Sequence, residues 1–268
     1  MRLTIRLKER ADILSFEETA LVVTVDKIKV AYFPVPKAAN TSMKHLLHSI
    51  KTGEGFTTIK DEATGAIRHI HKEYKTPKFS TINPDDYQKF FRIAIVRDPV
   101  DRVVSAWRNR VMHHKELEGE NIAERMASLG LRKTPTLQEF VDRLSEYRNV
   151  SKSISIHTDP LTDFLGKDEK YYNLIFNISD SQQIEAFFST LTGEQKKLPR
   201  KQMGGPPADR SELTGELIKK LEEIYGDDYR VFGKFLSNKT DIEKVIYLAR
   251  KHKSSLGGFF GRLRFLLK

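Results

Sequence analysis

The chain has 268 residues, enough for one large domain or one domain with an appendage, and enough to bury a sizeable core. It carries 46 Lys and Arg against 36 Asp and Glu, a formal net charge of +10, which favours anionic partners: a nucleotide, a sulfated or carboxylated glycan, nucleic acid or an acidic lipid. It has no cysteine, which excludes disulfides, thiolate catalysis and cysteine-held zinc, and makes a reducing, cytoplasmic setting the natural expectation.

The N-terminal stretch MRLTIRLKERADIL has no apolar run of signal-peptide or membrane-span length, so neither that leader nor a Golgi-type anchor is expected here. Residues 2–7 read as a strand, and LVVTV followed by KVAYF within 20–33 reads as a hairpin turning near Asp26 and Lys27. A helix is expected over 41–50 and mostly loop over 51–80. The near-continuous apolar run Phe91–Val96 is a buried strand. Asp98 is placed to cap the helix that follows, with Pro99 at its first position. Val100, Val103, Val104, Trp107 and Val111 then form a stripe at helical spacing.

Further along, an amphipathic helix is expected over 136–147, a strand over Tyr172–Ile178 and a helix over Ser181–Leu191. A basic Pro/Gly loop follows over 195–210, then helices near 211–225 and 228–236. Strands alternating with helices give an α/β fold with a central, mostly parallel sheet flanked by helices. The expected division is a single domain over 1–236 and a basic, apolar helical extension over 237–268. Its last stretch, SSLGGFFGRLRFLLK, suits peripheral contact with an acidic membrane and, equally, docking on its own domain.

Two strand-to-helix turns carry the chemistry. In PVPKAANTSMKHLL, residues 34–47, Lys37 lies just past a strand and Thr41 and Ser42 open a helix. A phosphate or sulfonate there meets a cation, two hydroxyls and unpaired helix N–H groups. The Walker pattern of glycines followed by Lys-Ser/Thr is missing, which argues against a P-loop kinase or NTPase, the first alternative. In FRIAIVRDPVDRVVSAW, residues 91–107, Arg97 ends a strand, and Arg102, Ser105 and Asn109 share a helix face. Arg97 is placed to fork onto a phosphate, or to pair with Asp98 or Asp101.

The pair PKAANTS and RDPVDRVVSAW resembles the two phosphate-binding signatures of sulfotransferases that use 3′-phosphoadenosine 5′-phosphosulfate (PAPS). The resemblance runs from about residue 28 to 236 and implies a P-loop-NTPase-like sulfotransferase fold. It implies that the turn Lys37, Ala38, Ala39, Asn40, Thr41 and Ser42 holds the 5′-phosphosulfate. Arg97 and Ser105 would then hold the 3′-phosphate, with 3′-phosphoadenosine 5′-phosphate (PAP) as product and no metal. Ala38 stands where the family usually has glycine, as is common in its glycan-sulfating branch. SIHTDPLTDFLG at 155–166 and IYGDDYRVFG at 224–233 also look like that branch. Arg200 and Lys201 resemble by position the late loop that closes over the nucleotide.

Sulfuryl transfer needs a base for the acceptor hydroxyl and a cation for the leaving phosphate. Lys37 suits the second role. For the base, His71 and then His69 resemble the His-x-His of heparan 2-O-sulfotransferases, and His157 resembles a histidine of other glycan-sulfating members. The acceptor implied is a hydroxyl of a carbohydrate or glycan. A non-enzymatic basic module binding nucleic acid or membrane is the second alternative; it has no recognition motif behind it, and nucleic acid is not an expected partner.

Overall fold

The computed structural model describes residues 22–60, 65, 67–200 and 209–266, with side chains as far as Gly257. The strand expected at 2–7, and Lys201, lie outside the described residues.

The first hairpin is β1 (Val23–Val25) and β2 (Val30–Phe33), joined by a 3-10 turn over Asp26–Ile28. The turn closes at Lys29, whose φ of 46° lies in the left-handed region. Helix α1 (Asn40–Thr52) follows, then a small exposed hairpin of β3 (Ile59–Lys60) and β4 (Ile67–Arg68) and the short α2 (Ile70–Glu73). The stretch 51–80 is therefore less irregular than its polar sequence suggests. Strand β5 (Phe91–Val96) leads into α3 (Pro99–Ala106), and β6 (Leu174–Asn177) comes much later.

The main sheet runs β1-β2-β5-β6. Only β1 is antiparallel to its neighbour; β2, β5 and β6 are parallel. These three strands are apolar along almost their whole length because both faces are covered. Register pairs Phe33 with Ala94 and Val96 with Asn177. The turns after β2 and β5 thus emerge side by side at the carboxyl edge, where open α/β sheets bind ligands.

Two apolar clusters build the interior. One surrounds the sheet and takes in Met43 and Leu47 of α1. It also takes in Phe187 and Phe188 of the helix Ser181–Thr192. The other packs Val100, Val103, Val104, Trp107 and Val111, the stripe read from the sequence, against α4 (Glu120–Ser128), α5 (Leu137–Asp142), α6 (Leu144–Val150), α7 (Lys152–Thr158) and the helix Gly215–Ile224.

The single helix expected at 136–147 is two. It starts on a capping box at Thr136 and breaks at Arg143, whose guanidinium donates to the carbonyls of Leu129 and Gly130. The helix expected from 211 begins at Gly215, after a 3-10 turn over Arg210–Glu212. At the C-terminus a single helix spans Ile242–Leu266. Its Val245 and Ala249 are fully buried in the sheet cluster, and His252 Nε2 lies 2.9 Å from the Ile28 carbonyl. The Phe/Leu/Arg side chains from 258 onward, on which membrane contact was expected, lie outside the described side chains. Among the described residues no helix is long and apolar enough to cross a membrane.

The segments around 155–166 and 224–233 form one junction. Asp228, fully buried, accepts from the N–H groups of Leu161 (2.6 Å) and Thr162 (2.9 Å), where α8 (Leu161–Leu165) begins. Tyr225 donates to the Thr158 carbonyl at 2.5 Å. The Asp228→Ala variant strands the buried Leu161 N–H and the half-buried Thr162 N–H and is expected to lose about 2–6 kcal/mol, at about 1–3 kcal/mol each. Equilibrium denaturation checks this; an unchanged midpoint would remove Asp228 from the stability of the junction.

Candidate active site

The turn between β2 and α1 is held in an uncommon backbone shape. Lys37 (φ 64°) and Ala39 (φ 53°) both sit in the left-handed region, where residues other than glycine are strained. Ala38 is not among the positive-φ residues and its methyl is fully buried, so this position needs a small side chain rather than glycine's freedom. The helix N-cap is Ala39, which has no side-chain acceptor to offer the first turn, so the N-terminus of α1 carries no capping side chain at that position.

Arg102, a residue of the second motif, fixes this shape from beneath. Its guanidinium is buried, at 1% exposure, and Nε donates to the Pro36 carbonyl at 3.2 Å. Arg97 Nη1 reaches the Lys37 carbonyl at 3.5 Å. Among the described residues Arg97 makes no ion pair, so the expected pairing with Asp98 or Asp101 is not formed. Asp98 instead caps α3 through the N–H groups of Val100 and Asp101, as the sequence predicts. Ser105 is buried one helical turn from Arg102.

After Ala106 the helix widens. Trp107–His113 is a π-helical segment, with His114 N–H bonded to the Asn109 carbonyl five residues back. Such segments are rare and are frequently found at functional sites. Here the wide turn aims Asn109 and Arg110 at the first motif. Asn109 Oδ1 accepts from Lys37 Nζ at 2.8 Å. Arg110 pairs with Glu116 at 2.9 Å, and Glu116 also accepts from Ser153 Oγ. The Nε atoms of Arg108 and Arg110 are buried without partners among the described residues.

The result is a dense cationic patch. Burial first, and then the Arg110, Arg97 and Arg108 guanidiniums, pull the Lys37 ammonium down to about 7. Burial also lowers Arg97. Arg110's charge lowers Lys37, His71 and His157 alike.

The three candidate histidines differ in what their rings do. His71 lies in α2, with Nε2 at 2.8 Å from Thr41 Oγ1 and Nδ1 at 3.2 Å from Lys44 Nζ. Both ring nitrogens are engaged, and burial, then Lys44 and His69, depress it to about 3. His69 caps α2, accepting from the His71 N–H at Nδ1. His157, in α7, directs Nδ1 at the Ser153 carbonyl (2.8 Å), so Nδ1 carries the proton and Nε2 keeps its lone pair. Burial, then Arg110, lowers it to about 3 against the opposing pull of the Ser153 carbonyl. Arg200 is exposed.

Sequence reading missed Lys44, Arg108, Arg110, Glu116 and Ser153. Ideal 3.6-residue periodicity carries Asn109 onto the Arg102 and Ser105 face but not Arg110; only the wide turn brings Arg110 in. Lys44, on α1, is fully buried.

The comparisons with known proteins agree with one another. A family model described as "Sulfotransferase family" matches residues 21–235. Among curated proteins, carbohydrate sulfotransferase 10 of Gallus gallus is 31% identical over 97 residues, covering 35% of this chain and 26% of the relative. The Homo sapiens and Mus musculus proteins of the same name are each 30% identical over the same share. The match spans about a quarter of the length of these relatives. No solved structure matches. The cytoplasmic location expected from the lack of cysteine is overturned here: the chain's relatives are carbohydrate sulfotransferases, which give that location no support. Absence of cysteine permits any compartment.

Proposed function

The chain belongs to the sulfotransferase family, and from that premise we propose that it transfers the sulfuryl group of PAPS to a hydroxyl of a carbohydrate acceptor. One observation carries the reading: Arg97 and the Lys37 turn meet at the carboxyl edge of adjacent parallel strands, through the Lys37 carbonyl. The cations and the helix N-terminus there suit a ligand with two anionic ends.

In this reading the amides of Asn40, Thr41 and Ser42 and the two hydroxyls bind the 5′-phosphosulfate of the donor. Arg97 and Ser105 bind the 3′-phosphate. Lys37 Nζ, held by Asn109, neutralises the charge that builds on the phosphate oxygen as the S–O bond breaks. His157 Nε2 takes the acceptor proton, because its tautomer leaves that lone pair available, whereas His71 has both nitrogens engaged. Arg108 and Arg110, whose Nε atoms have no partner among the described residues, add positive potential around Lys37. Carbohydrate as acceptor rests on the names of the relatives.

A thermal-shift titration tests the donor site. PAP without metal is expected to stabilise the protein by a few kcal/mol at large excess over Kd. A larger shift with ATP and Mg²⁺ than with PAP would overturn the reading. Arg97→Ala is expected to weaken PAP about 10–100-fold, the loss of a charge-assisted contact of 1.5–3 kcal/mol. Isothermal titration checks it, and wild-type affinity in that variant would take Arg97 out of the site.

A further inference from the structure

We propose that a cavity at the amino edge of the main sheet seats the phosphate headgroup of an anionic lipid and holds that edge against a membrane. The inference goes beyond the donor-site reading and is independent of it, because the cavity lies at the opposite end of the same strands.

Its place follows from the strand register. Val30 of β2 pairs with Phe91 of β5, and Ile93 of β5 pairs with Leu174 of β6, so Lys29, Phe91 and Asn173 stand where the parallel strands begin. The donor turns leave the other end, after Phe33 and Val96. A cavity of about 640 Å³ opens between these strand starts, residues 88–90, and His252, Ser255 and Leu256 of the C-terminal helix. That size is ordinary for a small-molecule site. Its walls are tied together: His252 Nε2 donates to the Ile28 carbonyl at 2.9 Å, and its ring centre lies 5.0 Å from that of Phe91.

The lining is cationic. Lys29, Lys89 and Arg92 line the cavity, and among the described residues no Asp or Glu does. Lys29 Nζ and Lys89 Nζ lie 5.3 Å and 5.7 Å from the centre of the one Phe90 ring, so two like charges are gathered there. Lys29 pairs with the exposed Asp26 at 2.8 Å, which engages one of its three ammonium protons. Arg92 is oriented by its surroundings: Nε donates to the Tyr171 carbonyl at 2.6 Å and Nη1 to the Gln88 carbonyl at 3.2 Å, which leaves Nη2 unused. Asn173 Oδ1 accepts from the Arg92 N–H at 2.8 Å, which leaves the Asn173 side-chain N–H groups uncommitted. Ammonium, guanidinium and amide donors converging without a carboxylate match the oxygens of a phosphate.

Two observations favour a lipid as the source of that phosphate. Phe90, Phe91 and Leu256 give the cavity an apolar wall beside its donors, which suits an amphiphile. The helix that carries Ser255 and Leu256 also runs on past the cavity to Leu266. Over residues 244–268 the sequence has seven Lys or Arg and no Asp or Glu, and Phe259, Phe260, Leu263, Phe265, Leu266 and Leu267 fall in its last ten residues. Such a composition suits a helix lying on an anionic leaflet, and among the described residues no helix is apolar enough to span one. Contact through this edge leaves the donor edge facing away from the membrane.

Flotation of the full-length protein tests the proposal. Vesicles of phosphatidylcholine and phosphatidylglycerol in equal parts are expected to carry it, and vesicles of phosphatidylcholine alone are not. Lys29→Asn, which suits the left-handed backbone at φ 46°, and Lys89→Gln should each weaken binding about fivefold, the worth of one cation near an anionic leaflet. Ser255→Trp changes no charge and fills the cavity from the exposed side of the helix, and it should weaken binding more than either lysine variant. Circular dichroism checks that all three fold, and each should keep the wild-type response to PAP, since none touches the donor edge. Unchanged vesicle binding in Ser255→Trp and Lys89→Gln would assign the contact to the C-terminal sequence alone and overturn the headgroup site. Glycerol phosphate binding as tightly as short-chain phosphatidylglycerol, read by calorimetry, would make the cavity a site for a soluble phosphate and overturn the lipid. No flotation with the anionic vesicles would overturn the proposal outright.

Discussion

Lys37→Ala is expected to reduce PAPS-dependent transfer by about 10²–10³-fold or more, while leaving the protein folded. The two halves of that outcome have separate causes. The ammonium is held at the site by Asn109 Oδ1 and lies among the Arg110, Arg97 and Arg108 charges that, after burial, pull it down to about 7. Removing it relieves a desolvated, repelled cation, so the midpoint of thermal unfolding should stay level or rise. The backbone strain at φ 64° is common to Lys and Ala, since both carry a Cβ. Lys37→Gly also removes that strain and should unfold at a still higher temperature, yet remain inactive. Wild-type turnover in either variant would take Lys37 out of the reaction. The pH dependence has a definite sign. With its pKa near 7 in the free protein, Lys37 loses its proton as pH rises through that value, and a bound polyanion pulls the pKa back up. Donor affinity should therefore fall above about pH 7, and binding there should take up protons, read by calorimetry in buffers of different ionisation heat. Lys37→Arg, charged throughout, should flatten this limb. A limb that persists in it would belong to Lys44, which burial also lowers to about 7.

How much of this was legible in the sequence depends on what each residue's role rests on. Lys37, Thr41, Ser42 and Arg97 are readable because they sit where a strand becomes a helix, and local pattern fixes such turns. Asp98 with Pro99 marks its helix start for the same reason, and the cap is formed. The mostly parallel sheet followed from strands alternating with helices. What stayed hidden depends on long-range packing. Lys44 and Ser42 are both polar residues on one helix, and nothing local says that Thr76 and His71 will close over the first. The π-turn at Trp107–His113 departs from the periodicity by which helix faces are read, so Arg110 was invisible as a site residue. The ordering of the histidines rested on resemblance; the tautomers that separate His157 from His71 are set by a carbonyl four residues back and by a buried lysine 27 positions away. The late segments around Thr158 and Asp228 looked like weak separate landmarks because the bonds between them span 66 and 67 residues.

His157→Ala is expected to slow the chemical step by about 10²–10⁴-fold, the usual contribution of a positioned general base. The same variant should bind PAP almost as the wild type does, since His157 holds no part of the proposed donor cradle. A base must be unprotonated, and His157, lowered to about 3 in the free protein, is neutral near pH 7. Burial and the charges of Arg110 and Lys37 cause that depression, and a bound donor offsets the two cations. The pKa of His157 should thus be higher in the donor complex than in the free protein. The acid limb of kcat should accordingly lie at higher pH than the acid limb of kcat/KM for PAPS. Ser153 and Glu116 support the arrangement: Ser153 holds the Nδ1 proton through its carbonyl and bonds Glu116 through its hydroxyl, and Glu116 pairs with Arg110. Glu116→Gln therefore leaves Arg110, whose charge lowers both Lys37 and His157, without its counter-charge, and should push the acid limb of kcat below that of the wild type. A His157→Ala enzyme with wild-type kcat, or a limb unmoved by Glu116→Gln, would exclude this assignment, because neither outcome is compatible with a lone pair on His157 receiving the acceptor's proton beneath the Arg110 charge.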